Sequence, residues 1–343
     1  MNQYRDPPPL ENSTNLTQGH KSLGFDFRGD GMEYFKIWIV NILLTILTLG
    51  IYSAWATVRN KRYFYSNLYL DTDNFRYLAD PITILKGRLI ALAALIAYYV
   101  VGIFAPIFSA GLAIILFFFI PFFFNRSVAF TNRMSSYKNI QFRFKGSYGQ
   151  AFMVIYIWPM LGILTLGILY PLALLKANEY FVRNSSYGTS HFDFKATYKD
   201  YGIIFLTALG ILLIGGLLSY GVTQLDPSFV MISPIVFIAL YFALIVYSIV
   251  SFSNLYYSSL SLIDHKFDSS LKFSALAKVI LINLLLTIIT FGLYLPAAKV
   301  RMTKYICSAL LLHTAGSLDE FSAAEKQNIG ALGEELGQAF DFT

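Results

Sequence analysis

The apolar residues of this chain fall into long intervals that contain no Asp, Glu, Lys or Arg. There are six such intervals: 37–58, 89–125, 146–175, 201–225, 227–263 and 279–298. A helix that crosses a bilayer needs about 20 mostly apolar residues, so each interval is long enough for at least one helix. The pattern therefore predicts a polytopic membrane protein.

Two apolar regions are too long for one crossing. At a rise of about 1.5 Å per residue, the 37 residues of interval 89–125 would extend roughly 55 Å. Gly102 and Pro106 interrupt this interval, and a similar pair of segments lies at about 201–222 and 229–250. Glycine and proline favour turns between helices, so each region predicts a two-helix hairpin.

A short break recurs inside the other apolar intervals. Its three copies are Thr48-Leu49-Gly50, Thr165-Leu166-Gly167 and Thr290-Phe291-Gly292. Glycine commonly ends a helix, and in the second and third copies a proline follows four residues later, as at the start of a new helix. The glycines Gly50, Gly167 and Gly292 are therefore predicted helix breaks.

The spacing of the breaks indicates internal duplication. The first two copies lie 117 residues apart with the surrounding sequence in register, and the third follows after 125 residues. We interpret residues 25–141, 142–266 and 267–318 as three membrane units, the last of them truncated. Residues 1–24 are predicted to form a disordered polar tail without a signal peptide, and 319–343 an acidic tail with helical apolar spacing.

Segments with alternating aromatic and polar residues stand at the bases of the apolar intervals. The clearest are Phe25-Asp26-Phe27 and Phe142-Arg143-Phe144, and weaker ones begin at Phe75, Phe192, Phe267 and Phe340. Alternation is typical of strands, which could pair into a small interfacial sheet, although aromatic anchoring at the headgroup level is an alternative. The predicted fold class is an internally repeated all-α helical bundle with short Phe-x-Phe strand-like segments at the membrane interface.

Composition supports a membrane location and names a partner. The chain is 56% hydrophobic and 13% charged, with a mean hydropathy of +0.56, which is more apolar surface than a soluble core could hide. Its net charge of +6 comes from basic residues that flank the apolar intervals. We therefore expect anionic lipid headgroups, and not nucleic acid, as partners. The single cysteine, Cys307, allows no intramolecular disulfide.

Few residues are candidates for a functional site. A cation follows each break at the same offset, and we predict that Arg59, Lys176 and Arg301 are interfacial cations near lipid phosphates. The polar candidates inside the apolar intervals are Asn41, Thr48, Thr165, Asn283 and Thr290. The alternative for these five is ordinary hydrogen bonding within and between helices.

The sequence contains no recognisable catalytic motif. His20, His191, His265 and His313 are scattered without metal-ligand spacing, and neither a phosphate-binding loop nor a nucleophile elbow is present. We therefore expect no enzyme activity, no cofactor and no metal.

Two topologies are compatible with interval 37–58. A single crossing there, and at the equivalent intervals, would divide the 26 Lys and Arg residues into 15 and 11. Hairpins that return to the same face would place all 26 on one side, which agrees with the positive-inside rule. We therefore predict hairpins, which are short enough to be re-entrant, and cytoplasmic tails at both ends.

Three stretches resemble a known family. They are Gly50 to Arg59, Phe25-x-Phe27-Arg28-Gly29, and Gly333-Glu334-Glu335-Leu336-x-x-Ala339-Phe340-Asp341. This combination is similar to the YjgN family of bacterial inner-membrane proteins, a domain of unknown function. The resemblance implies an inner-membrane location and supplies no catalytic or binding residues. The second unit departs from the pattern, with Leu172 at the position of Trp55.

Two functions remain open at this stage. Repeated broken helices favour a transporter- or channel-like bundle for a small molecule or lipid, one that lacks a buried carboxylate proton relay. The alternative is a structural or lipid-organising membrane protein. Convergence of the three breaks on one solvated cavity would favour transport.

Overall fold

Ten short antiparallel strands close into a barrel in this computed structural model, which describes residues 20–225, 230–231 and 233–341. The strands are β1 (His20–Phe27), β2 (Leu68–Leu70), β3 (Asp73–Tyr77), β4 (Ser135–Tyr137), β5 (Ile140–Phe144), β6 (Ser185–Tyr187), β7 (Ser190–Phe194), β8 (Leu260–Leu262), β9 (His265–Ser269) and β10 (Leu310–Ala315). Each strand pairs with its neighbours in the chain, and β1 pairs with β10. Closure leaves no strand edge unpaired.

The predicted all-α fold class is therefore wrong. Five of the predicted strand-like segments are real and contribute to β1, β3, β5, β7 and β9. Their partners β2, β4, β6 and β8 are three residues long, which is too short for an alternating pattern to be recognised. The sixth segment differs: Phe340 and Asp341 belong to the last helix, and Phe342 lies outside the described residues.

Five helical hairpins are inserted between the strands. Their helices are α1 (Gly31–Leu47) with α2 (Ser53–Ser66), α3 (Pro81–Phe104) with α4 (Pro106–Arg133), α5 (Tyr148–Phe152) and α6 (Trp158–Leu164) with α7 (Tyr170–Arg183), α8 (Tyr198–Leu225) with α9 (Ser233–Ser258), and α10 (Phe273–Ile289) with α11 (Leu295–Ser308). One π-helical turn, Met153–Ile157, joins α5 to α6. A last helix, α12 (Leu318–Asp341), follows β10.

All five hairpins leave and re-enter the barrel at the same end. The chain departs from β1 at Phe27 and returns at Leu68, which pairs with Phe27. The same relation holds for Tyr77 and Ser135 on the next hairpin. We call this end the helical end, and we call the opposite end, where the strand turns lie and α12 begins, the mouth.

The helices form a ring above the barrel. From α1 to α11 each helix contacts the next one in the chain, α5 and α6 through the π-helical turn, and α11 contacts α1 to close the series. Among the described residues, four helices are long and apolar enough to cross a membrane: α3, α4, α8 and α9. The most apolar window of each is at most 11% buried inside the protein, so these helices present apolar surface on nearly all sides. The protein is therefore a multi-pass membrane protein.

Polar residues set the angle at which helices leave the strands. Asp30 accepts hydrogen bonds from the backbone of Met32 and Glu33 and caps α1, and Asp80 caps α3 through Thr83. The Tyr63 hydroxyl, on α2, contacts the backbone N–H and C=O of Asp30 at 2.8 Å. These bonds connect both helices of the first hairpin to the end of β1.

Candidate functional site

Five phenylalanines form a circle inside the barrel. They occupy equivalent inward positions of β1, β3, β5, β7 and β9 and are Phe25, Phe75, Phe142, Phe192 and Phe267. Four neighbouring pairs have ring centroids 6.4 Å apart, within the range of aromatic contacts. Phe75 and Phe142 are the one neighbouring pair without such a contact, and Tyr137 and Tyr187 complete the circle between them. We call this layer the Phe ring.

An apolar cavity of about 390 Å³ runs through the Phe ring. Toward the mouth it is lined by Leu70, Tyr137, Tyr187, Leu262, His265 and Leu312, and toward the helical end by Leu68, Tyr257, Leu260, Ile306, Cys307 and Leu310. Binding pockets for small molecules have volumes of roughly 300–1,000 Å³ and mostly apolar walls. The barrel interior is therefore a candidate binding site.

Two tyrosine hydroxyl groups in the cavity wall donate to backbone carbonyls. Tyr137 donates to the Leu70 carbonyl at 2.8 Å, and Tyr187 donates to the Tyr137 carbonyl at 3.1 Å. Burial raises the pKa of both phenols, so both remain neutral. Burial also lowers the pKa of His265, against a smaller opposing effect of Asp264. Tyr137, Tyr187 and His265 are therefore uncharged at neutral pH.

Helix α12 covers the mouth of the barrel. Leu318 belongs to the same buried cluster as the cavity wall, and Phe321 and Ile329 pack against that cluster. The Phe321 ring stacks on Tyr187 with centroids 6.1 Å apart and meets His265 edge-on at 4.7 Å. The side chains of the first three turns of α12 therefore close this end of the cavity.

A buried carboxylate holds α12 in place. Glu325 is only 3% exposed, and its Oε2 accepts hydrogen bonds from the Thr189 backbone N–H at 2.7 Å and from the Thr189 hydroxyl at 2.8 Å. Its Oε1 accepts a short hydrogen bond from the Ser190 hydroxyl. Hydrogen bonds to an ionised group are stronger than neutral ones, so this contact is a specific latch.

An ion-pair cluster adds a second contact between α12 and the barrel. Lys138, at the turn between β4 and β5, lies 2.5 Å from carboxylate oxygens of both Asp73 and Asp319. Burial alone would lower the pKa of Lys138, but the hydrogen bonds to Asp319 and Asp73 outweigh it and raise the pKa above its ordinary value. The hydrogen bond from Lys138 lowers the pKa of Asp319.

The three predicted glycine breaks lie at hairpin tips, and none of them lines the barrel cavity. Gly50, Gly167 and Gly292 have φ of +92°, +93° and +89°, and each preceding residue also has positive φ. Those preceding residues, Leu49, Leu166 and Phe291, are 95–97% exposed. The exposed tips therefore lie apart from the barrel cavity, and a role of the breaks in transport stays a prediction.

The threonines next to the breaks form hydrogen bonds with the backbone of their own turns. Thr48, Thr165 and Thr290 each donate to the carbonyl four residues earlier. Each also accepts a hydrogen bond from the backbone N–H four residues later, at 2.9–3.1 Å. The threonine thus satisfies backbone groups on both sides of the turn.

The two asparagines hold short hairpins together. Asn41 on α1 donates to Asn60 on α2 at 2.9 Å, and Asn283 on α10 donates to the Ala298 carbonyl on α11 at 3.2 Å. Both are buried, and the side-chain oxygen of each has no hydrogen-bond partner. These contacts are of the interhelical kind.

The three predicted cations lie on equivalent second helices of short hairpins. Arg59 on α2 and Arg301 on α11 are exposed, whereas Lys176 on α7 forms an ion pair with Glu179 at 2.8 Å. None of the three lines the barrel cavity. Their role toward lipid phosphates stays a prediction.

Sequence reasoning missed the site because it is assembled from distant strands. The Phe-x-Phe segments did contain one signal, since their first residues form the Phe ring. Glu325 carried no visible signal, because its partners Thr189 and Ser190 lie more than 130 residues earlier in the chain.

Most of the chain is similar to known bacterial proteins. It matches a family described as bacterial proteins of unknown function (DUF898) over residues 22–339. It is 33% identical to the inner membrane protein YjgN of Salmonella typhimurium over 156 residues, which are 43% of this chain and 38% of that protein. It is 29% and 28% identical to YjgN from two Escherichia coli strains, over 46% of this chain and 40% of each relative.

The matched region thus spans about two fifths of the length of these relatives. No solved structure matches the chain. The family match covers nearly the whole described structure, from β1 into α12. The chain therefore belongs to this family, the YjgN family that its motifs resemble.

Proposed function

We propose that this protein is an inner-membrane transporter that takes the hydrocarbon chain of a lipid or lipid-like molecule into its barrel. The observation that carries the proposal is the apolar cavity of about 390 Å³ inside the Phe ring. Protein interiors are close-packed and rarely contain voids larger than a water molecule. A cavity of this size, surrounded by aromatic rings, is therefore better explained by a ligand than by the needs of folding.

The position of the cavity favours a ligand that comes from the bilayer. The cavity reaches Leu68, Leu260 and Leu310 at the helical end, where the strands meet the membrane hairpins. Its wall is almost wholly apolar, so it suits a hydrocarbon chain better than a sugar or an ion. Transport of this kind requires no carboxylate relay within the helices.

We further propose that the barrel and both tails lie in the cytoplasm. The relatives named above are inner membrane proteins. Basic residues lie near the barrel and in the strand turns, whereas the glycine breaks and the described α3–α4 tip contain no Lys or Arg. The positive-inside rule then assigns the barrel to the cytoplasm.

A structural or lipid-organising role is the second candidate. The exposed apolar surface of α3, α4, α8 and α9 and the exposed cations Arg59 and Arg301 favour extensive lipid contact. In that case the cavity would hold no specific ligand.

Filling the cavity distinguishes the two candidates. Leu312→Trp places a larger side chain in the cavity, whereas Leu311→Trp on the neighbouring position of β10 points out of the barrel and serves as the control. Lipids retained by each purified protein are identified by mass spectrometry, and lipid movement is measured in reconstituted vesicles. Transport predicts that only Leu312→Trp loses a retained lipid and its movement. Unchanged lipid retention and movement in a folded Leu312→Trp protein would favour the structural role.

A further inference from the structure

We propose that the barrel binds a single-chain carboxylate, with its headgroup in the position that Glu325 occupies and its chain along the cavity. This inference rests on the proposed function and specifies the class of ligand. In this arrangement α12 is a built-in competitor, which fills the headgroup site when no ligand is bound.

The headgroup site is a ready-made carboxylate cradle. Its three donors are the Thr189 backbone N–H, the Thr189 hydroxyl and the Ser190 hydroxyl, and they serve both oxygens of Glu325. Gly188 forms the near wall with φ of +62°, and a Cβ at that position would lie 2.4 Å from Glu325 Oε2. The cradle is therefore tight around a flat carboxylate, and a larger tetrahedral headgroup fits it less well.

The cradle lies next to the wall of the apolar cavity. Ser190 and Phe192 are two residues apart on β7 and so share its inward face. Tyr187, which precedes Gly188, lines the cavity directly. A molecule with its carboxylate at Ser190 would therefore direct its chain past the Phe ring toward the helical end.

Several features of α12 would allow it to detach from the mouth of the barrel. It follows β10 through Gly316, whose φ of +110° favours glycine. Its inner face carries the apolar side chains of Leu318 and Phe321 at the cavity and the carboxylate of Glu325 in the cradle. The proposed ligand would likewise place an apolar chain in the cavity and a carboxylate in the cradle. Its outer residues, including Glu320 and Lys326, are exposed. Release of α12 would thus free the cradle and the mouth together.

The test uses the full-length protein in nanodiscs of zwitterionic phosphatidylcholine. Dissociation constants are measured for dodecanoate, dodecanol, dodecylamine and dodecyl phosphate, and hydrogen exchange is followed over residues 317–331. We expect dodecanoate to bind at least about tenfold more tightly than the other three, because charged hydrogen bonds to the cradle discriminate among headgroups. We also expect dodecanoate to accelerate exchange in α12.

Variants separate the cradle from the cover. Glu325→Gln should tighten dodecanoate binding about tenfold by weakening the competitor, whereas Glu320→Gln, the same change on the exposed side of α12, should leave it unchanged. Replacing Thr189 by Val and Ser190 by Ala should remove the preference for dodecanoate over dodecanol while dodecanol still binds.

Three outcomes would overturn the inference. Equal binding of all four dodecyl compounds, with no change of hydrogen exchange in α12, would show that the cradle does not select the headgroup. The apolar binding site of the proposed function would still stand. Tighter binding of dodecyl phosphate would assign the site to a different headgroup. Failure of every chain to bind, even to a protein that ends at Gly316, would refute the proposed function as well.

Discussion

At the scale of single residues, the structure separates polar groups that hold the fold together from those that face the candidate site. Asn41, Thr48 and their counterparts satisfy local or interhelical hydrogen bonds. Glu325 instead reaches across to the strand turn at Thr189 and keeps the mouth closed. The residues that stood out in the sequence are thus mostly architectural, and the residue that closes the site did not stand out.

The two buried asparagines should respond differently to removal. Asn283→Leu removes an unpaired buried oxygen and leaves behind only a carbonyl within helix α11, so we expect the melting temperature to stay the same or to rise. Asn41→Leu also leaves Asn60 without its partner and should destabilise by about 1–3 kcal/mol. Thermal denaturation of both variants in one detergent measures the difference. Equal melting temperatures would contradict this account.

The ion pair between Lys138 and Asp319 should protect α12 from hydrogen exchange to a constant degree near neutral pH. The pKa of Asp319 lies below 3.8, so its contribution is present above that pH and is lost as the pH falls through the lowered value. The pKa of Lys138 lies above 10.5, so its contribution is present below that pH and is lost as the pH rises through the raised value. The contribution of this ion pair to the protection factors of residues 317–331 should therefore be constant between these limits, and a change at mildly acidic pH would belong to His265, which packs against Phe321 with a pKa lowered by burial. Asp319→Asn should lower the protection factors throughout and abolish the acid step.

At the scale of elements, the three short hairpins turn in the same way. In each, the glycine N–H donates to the carbonyl five residues earlier at 2.8 Å, and both the glycine and the residue before it have positive φ. This is the pairing of a helix C-terminal cap, so the turn needs a glycine for conformation and not for close packing.

Alanine substitutions test the conformational role of the tip glycine. Gly50→Ala should destabilise the protein by about 1–2 kcal/mol, because its φ of +92° is unfavourable for an L residue. Gly87→Ala, an exposed position inside α3, should instead stabilise by about 0.5–1 kcal/mol. Melting temperatures that shift in opposite directions would support this interpretation. A loss of stability from Gly87→Ala of similar size would show that crowding, and not φ, controls these sites.

At the scale of the whole molecule, a barrel with all hairpins on one end implies a simple topology. Both ends of every hairpin return to the barrel, so the single crossing at 37–58 that would invert the second unit is wrong. The short hairpins α1–α2 and α10–α11 are re-entrant in length. The internal duplication itself stays a prediction.

Cysteine labelling tests the cytoplasmic assignment. In a Cys307→Ser background, single cysteines replace Ser22 and Ser317 near the mouth and Ile107 at the tip of the α3–α4 hairpin, all exposed. An impermeant thiol reagent added to intact spheroplasts should label only Ile107→Cys, because basic residues near the barrel oppose translocation. Labelling of the two mouth positions alone would reverse the orientation. Labelling after lysis confirms that every position is reactive.

Composition and charge-free intervals by themselves determined that this protein lies in a membrane and forms hairpins, because hydrophobic length and turn residues are local properties. Period-two aromatics also placed five strand segments correctly. Only the tertiary structure decided that those segments close into a barrel, since closure pairs His20 with Ala315 across almost the whole chain. For the same reason only the tertiary structure revealed the cavity and the Glu325 latch: each is formed by residues that are distant in sequence and adjacent only after folding.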